Sequence, residues 1–191
     1  MGQNDKSNVR GQGLLVWMDL EMTGLDAEKD SIIEMATVIT TGQLEIVSKG
    51  PEFVIHQPPE RFALMDEWNQ EHHKKSGLWD KVLQSTISLD MAERQTIEFI
   101  SAHIDAKVSP LCGNSVYQDR RFLTKHMPHL EAYLHYRLID VSTIKELGLR
   151  WYGESAKFVK SKGAHRAMDD ILESIDELKT YRQRLFVSAI S

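Results

Sequence analysis

Cysteine is almost absent from this 191-residue sequence. Cys112 stands alone, so no disulfide can close within the chain and cysteine usage gives no pointer to export. Long apolar runs are also missing, and none approaches the roughly 20 residues that span a bilayer. The residues before Leu14 are polar and rich in Gly, Asn and Gln, without the charged-then-apolar order of a signal peptide. The chain starts Met-Gly, but Lys6 occupies the place where a myristoylation motif puts Ser or Thr. A cytoplasmic location is therefore the expectation. An excess of basic charge is lacking too: 23 Lys and Arg face 28 Asp and Glu, for a net charge of −5. That balance excludes an affinity for long nucleic acid built on many phosphate contacts. It leaves room for a short nucleotide ligand whose few phosphates are met by metal ions. Repeats and low-complexity linkers are absent, and 41% hydrophobic with 27% charged residues is the balance of an ordinary globular chain. One domain with a sizeable core is expected.

Segment patterns predict an α/β domain, a mixed central sheet flanked by helices. Leu14 to Glu21 is apolar and then acidic and reads as a central strand. A turn at Thr23–Asp26 leads to a β-branched strand from Ser31 to Thr41. The break at Gly42 predicts a hairpin into Leu44–Val47, and Phe53–Ile55 closes the sheet. From Pro58 to about Gln84 the pattern is helical, interrupted near Ser76-Gly77. Asp90 and Glu93 have the spacing of a capping box at the start of a helix to about Ile104. Short strands are expected at Pro110–Gly113 and Leu138–Asp140. Helices are expected over Tyr117–His126, His129–His135, from an Ser142 N-cap to Trp151, and from near His165 to Leu185.

The chemistry is expected among the acids. Asp19 and Glu21 stand at i and i+2 on a strand, so both carboxylates share a face. Two such groups at the end of a buried strand repel and are penalised by desolvation, and a divalent cation relieves both effects. Taken alone, the pair reads equally as the start of a solvated loop. Asp119 shares a helix face with Phe122 and Leu123, so it needs a partner; an ion pair with Arg120 or Arg121 is the simpler account of that segment by itself. In the run from Gly163 to Ile171, the apolar stripe of Ile171, Ile175 and Leu178 separates two aspartates. At roughly 100° per residue Asp169 falls opposite the stripe, whereas Asp170 flanks it and can look into a site. His165 has access to that site if it lies before the helix, in the freer backbone after Gly163. Lys157, Lys160 and Lys162 could attract phosphate or simply form a solvated basic loop.

Together, Asp19-Leu20-Glu21 with Thr23-Gly24, Asn114 with Asp119, and His165 with Asp170 resemble the motifs of the DEDDh 3′→5′ exonuclease superfamily, which has an RNase H-like fold. Trp17 to Leu25, Cys112–Ser115, Gln118–Leu123 and Tyr136-Arg137 with Asp140–Thr143 are similar to the oligoribonuclease family within it. The likeness runs from about Gly13 to Phe186, which implies an exonuclease domain over residues 13–186 between a flexible lead-in (1–12) and a short tail (187–191). It implies 3′→5′ hydrolysis of very short RNAs, down to dinucleotides, to 5′-mononucleotides. It implies a homodimer in which Tyr136 reaches the neighbouring active site and stacks on the 5′ base. Leu25 and Trp68 would sandwich the 3′ base, with His73, Asn114 and Ser115 near the substrate. Arg137, Ser142 and Lys145 would hold the 5′ phosphate. Read without the resemblance, Trp68 is a core aromatic and Tyr136 a half-buried tyrosine at a strand start.

Four carboxylates without a cysteine ligand suit hard cations, so two Mg²⁺ or Mn²⁺ ions are the expected cofactors. Ions roughly 3.5–4 Å apart can clamp an in-line displacement at phosphorus. Asp19 would bridge both, Glu21 and Asp170 would complete one, and Asp119 would serve the other, directly or through water. His165 would take the proton of the attacking water, since histidine titrates near neutrality. Two rivals stand beside this reading. A related exonuclease that proofreads DNA or trims tRNA would turn over a long strand better than a dinucleotide. A binding module that kept the fold without the chemistry would have lost one of the carboxylates.

Overall fold

A computed structural model describes residues 9–159 and 166–187. Five strands form one sheet in the order β3-β2-β1-β4-β5. β1 (Leu14–Met22) and β2 (Ile32–Thr41) pair antiparallel along their whole length, and β3 (Ile46–Val54) adds an antiparallel edge. The short strands β4 (Leu111–Gly113) and β5 (Leu138–Asp140) continue from β1 in parallel. Mixed sheet and flanking helices match the expected class.

β2 is nearly all buried, and so is the middle of β1 at Val16, Trp17 and Met18, because both faces of the sheet are covered. Even-numbered β1 residues Val16, Met18 and Leu20 pack with α3 (Leu89–Ser101), α4 (Tyr117–His126) and α5 (Pro128–Tyr133). Odd-numbered Leu15 and Trp17 pack with Ala36 and Val38 of β2 under Ile171 and Ile175 of α7 (Ala167–Leu185). Trp17 is wholly buried and its indole N–H donates to the Thr40 hydroxyl at 2.9 Å. A side chain of this size contributes about 1.5–3 kcal/mol through burial. Cys112 is buried in the same layer, and desolvation pushes its thiol pKa upward, so it is an inert core residue. A third apolar group under α2 (Leu78–Gln84) holds Leu78, Trp79 and Val82 against Ile33 and Met65.

Three boundaries differ from the sequence reading. β3 is one continuous strand rather than two pieces. Gly50 and Pro51 stand where the pairing steps from Ala36–Glu52 to Val38–Lys49, and this irregularity on an edge strand absorbs a proline that a central strand could not accept. The cap of α3 is Ser88, whose hydroxyl accepts from Met91 N–H, and not Asp90. Glu93 is instead buried and its carboxylate accepts from His129 and Leu130 N–H at 2.8 and 3.0 Å, capping α5. The cap of α6 (Val141–Tyr152) is Asp140, the last residue of β5 and two residues before the expected Ser142: it accepts from Ser142 N–H at 3.0 Å. The expected break within the helical region from Pro58 to Gln84 lies at Gly77, whose φ of 71° suits a residue without Cβ. Among the described residues no helix is long and apolar enough to cross a membrane.

Candidate active site

The acidic residues meet because of strand parity. Asp19 and Glu21 continue the odd-numbered face of β1 beyond Trp17, toward α7. Asp170 stands in the first turn of α7, one residue before buried Ile171. One carboxylate oxygen from each of Asp19, Glu21 and Asp170 lies within 4.8 Å of the others, a grouping able to hold a metal ion. Asp169 is exposed, as its helical angle predicts.

Asp119 approaches from the other side. Along β1, β4 pairs only with Val16 and Trp17, so β1 runs on past the end of this parallel neighbour. There the carboxylate of buried Asp119 accepts from Leu20 N–H at 3.0 Å, in place of a strand partner. The ion pair considered for this residue is not formed. Arg120 bonds Glu131 at 2.6 Å and the His135 carbonyl at 2.8 Å, and Arg121 bonds Gln118.

Burial and repulsion between like charges act on Asp19, Glu21 and Asp119. The Asp19 carboxyl is held well above the usual carboxylate range, first by desolvation and then by Asp119, Glu21, Asp170 and Glu34. Desolvation, then Asp170, Glu34 and Asp119, raise Glu21 to about 8, offset in part by Arg166. Asp119 rises to about 7 through desolvation, despite the stabilising N–H from Leu20. A raised folded-state pKa means the native state holds protons that the unfolded chain, with carboxyls near 4, has released. The stability tied to these groups is therefore complete below about pH 4 and lost as pH rises through 7 to 8. The thermal midpoint measured in chelator is expected to fall by ~5 °C or more between about pH 6 and pH 9. A midpoint independent of pH over that range would contradict these environments.

Two acids that the motifs did not single out complete the surroundings. Glu34 of β2 lies opposite Glu21 in register and is almost fully buried. It accepts from Arg166 Nε at 2.8 and 3.0 Å and from another guanidinium nitrogen, and its Oε2 also accepts from Ala167 N–H at 3.3 Å. This bidentate pair fixes the start of α7 to the strand that lies beside Glu21. A lone acid within the apolar run Ile32-Ile33-Glu34-Met35-Ala36 was the available signal. Glu177 is buried under the end of β4, where it accepts from Asn114 Nδ2 at 2.9 Å and from Tyr181 OH at 2.7 Å.

The remaining predicted residues surround the acids. Leu25 is 70% exposed on a loop stapled by Thr23–Asp30 and Asp26–Asp30 bonds and by Gln118 Nε2 donating to its carbonyl at 2.6 Å. Trp68 on α1 (Glu67–Lys75) is 67% exposed, so it is no core aromatic; it stacks on His72. Tyr136 is 71% exposed rather than half-buried, stacked on His135 with the Arg137 guanidinium 5.4 Å from its ring centre. His73 is buried with Nε2 2.8 Å from the Met22 carbonyl, and desolvation lowers its pKa. Ser115 adopts φ of 50°, and its N–H is received by Asp140 and by Ser142 Oγ. Asn114 receives a bond from Ser142 and donates to Ser174 and Glu177, while Lys145 Nζ lies 3.9 Å from Glu177. Lys157 pairs with Glu154. His165, Lys160 and Lys162 lie outside the described residues.

The RNase T exonuclease family model matches residues 16–178. The oligoribonuclease of Marinobacter nauticus is 55% identical over 172 residues, 90% of this chain and 96% of that protein. That of Hahella chejuensis is 53% identical over 169 residues, covering 88% and 93%. In fold, the chain is similar to a solved structure of exonuclease I, with a TM-score of 0.72 at 11% identity over 91% of this chain and 42% of that longer one. With more than half of the aligned residues identical to those of curated relatives matched along nearly their whole length, and a family match that runs from β1 into α7, this chain belongs to the oligoribonuclease family of 3′→5′ exoribonucleases.

Proposed function

We propose that the protein hydrolyses very short RNAs, dinucleotides above all, from the 3′ end to 5′-mononucleotides. Two divalent cations, Mg²⁺ or Mn²⁺, are held by Asp19, Glu21, Asp119 and Asp170, and His165 is the general base. The observation that carries this reading is the convergence of three carboxylates within 4.8 Å in a setting that penalises their charge. An all-oxygen donor set of this kind fits a hard cation. Such ions supply an acidified water and charge stabilisation of the leaving 3′ oxygen.

The chain's own residues set the length of the substrate. Leu25 and Trp68, both exposed, sandwich the 3′ base, with His73, Asn114 and Ser115 near the substrate. Tyr136 of a second copy stacks on the 5′ base, and each aromatic stack contributes about 1–3 kcal/mol irrespective of sequence. Arg137, Ser142 and Lys145 hold the 5′ phosphate. The tip carrying Tyr136 is well suited to an excursion into a neighbour, since Arg120 pins its stem through the His135 carbonyl. An acidic protein with so few phosphate ligands suits a dinucleotide better than a long strand.

Labelled RNA dinucleotide, incubated with the protein and Mg²⁺, should release mononucleotide, and chelator should stop it. Turnover of the dinucleotide should exceed that of a long single strand by ~10-fold or more, the loss expected when one base stack is forgone. Equal turnover would remove the length preference. Binding without release would favour a non-catalytic module.

A further inference from the structure

We propose that Glu21, His72 and His73 form a transition-metal site beside the carboxylate cluster, suited to Zn²⁺ rather than Mg²⁺. One ring nitrogen from each histidine and one carboxylate oxygen of Glu21 lie within 4.8 Å of one another. His73 is only 1% exposed. Its Nε2 faces the Met22 carbonyl at 2.8 Å, and a carbonyl can only accept, so Nε2 carries the ring proton. That tautomer leaves a bare lone pair on Nδ1, which is buried without a hydrogen-bond partner. A buried acceptor with no donor is penalised, and a cation at Nδ1 removes the penalty. Donation of one ring N–H to a carbonyl while the other nitrogen stays free is also how proteins orient a metal-ligating histidine. His72 is held in place from one side, since its ring lies 4.7 Å from that of Trp68 with only 7° between the planes.

The donor set decides the ion. Two imidazoles with one carboxylate are borderline ligands that suit zinc, and three protein ligands leave a coordination position open. The carboxylates of Asp19 and Asp170 favour hard cations instead. Glu21 belongs to both groups. Zinc bound by the histidines draws Glu21 away from Asp19 and Asp170 and so inhibits hydrolysis. Binding stands on the geometry alone; the inhibition rests on the proposed function.

The test uses the full chain without Mg²⁺, so that no second cation draws on Glu21. Zinc is titrated in competition with a chromogenic chelator, and Co²⁺ binding is followed by its visible absorption. One equivalent should bind, and His72→Thr should weaken zinc by ~100-fold or more, the scale of losing an essential part of a metal site. Asp170→Asn, which alters only the carboxylate cluster, should leave zinc affinity unchanged. Because His73 is buried, half-buried His72 provides the deciding variant. Zinc binding unaltered in His72→Thr, or no zinc bound, would overturn the site. Zinc bound through His72 in a protein that hydrolyses no RNA would instead leave the site standing and remove the proposed function.

Discussion

Asp19→Asn should reduce turnover by about 10³-fold or more, because loss of the proposed central metal ligand would forfeit several kcal/mol of transition-state stabilisation. The same change should raise the thermal midpoint of the metal-free protein. Asp19 is the acid most surrounded by others: Asp119, Glu21, Asp170 and Glu34 all act on it, after burial. An amide of the same shape removes a buried charge and four repulsions at once. Activity and stability are thus opposed at this position, as expected where a site is assembled for a ligand rather than for the fold. The measurement is a pair of melting curves in chelator at about pH 8, alongside a dinucleotide assay in Mg²⁺. A variant that is inactive and also less stable than wild type would mean that Asp19 serves the packing, and the case for a metal ligand would fail.

The placement of the acids in the candidate site was largely legible in the sequence because two periodicities govern it. Alternation along β1 puts Asp19 and Glu21 on one face, and nothing in the tertiary structure disturbs it. Rotation along α7 separates Asp169 from Asp170 in the same way. What was not legible depends on contacts between segments distant in the chain. Asp119 bonds Leu20, 99 residues away, because β4 ends early, and no local pattern announces the length of a neighbouring strand. Arg166 finds Glu34 across 132 residues. The exposure of Trp68 and Tyr136 was likewise undecided locally, since an aromatic reads the same in a core and on a surface. Caps moved for a related reason: Ser88, Asp90, Asp140 and Ser142 are all competent N-cap residues, and the backbone geometry selects between adjacent candidates.

Asp170→Asn and Asp169→Asn should differ by about 10²-fold or more in turnover although they are adjacent and chemically identical, the scale expected for removing one group that stabilises developing charge. The contrast isolates direction from composition. Both changes take one negative charge from the first turn of α7, so their effects on the helix dipole are alike, at about 0.3–1 kcal/mol. Only Asp170 belongs to the cluster with Asp19 and Glu21. Its backbone N–H is received by the Arg166 carbonyl at 3.0 Å, and Arg166 is itself clamped to Glu34, so the orientation of Asp170 is tied to β2 through a bidentate pair. Asp169→Asn should keep turnover within about twofold of wild type, as for a surface substitution. Apparent Mg²⁺ affinity, read from activity against metal concentration, should weaken in Asp170→Asn alone. Equal losses in the two variants would point to the charge of the helix terminus and not to a ligand aimed by it.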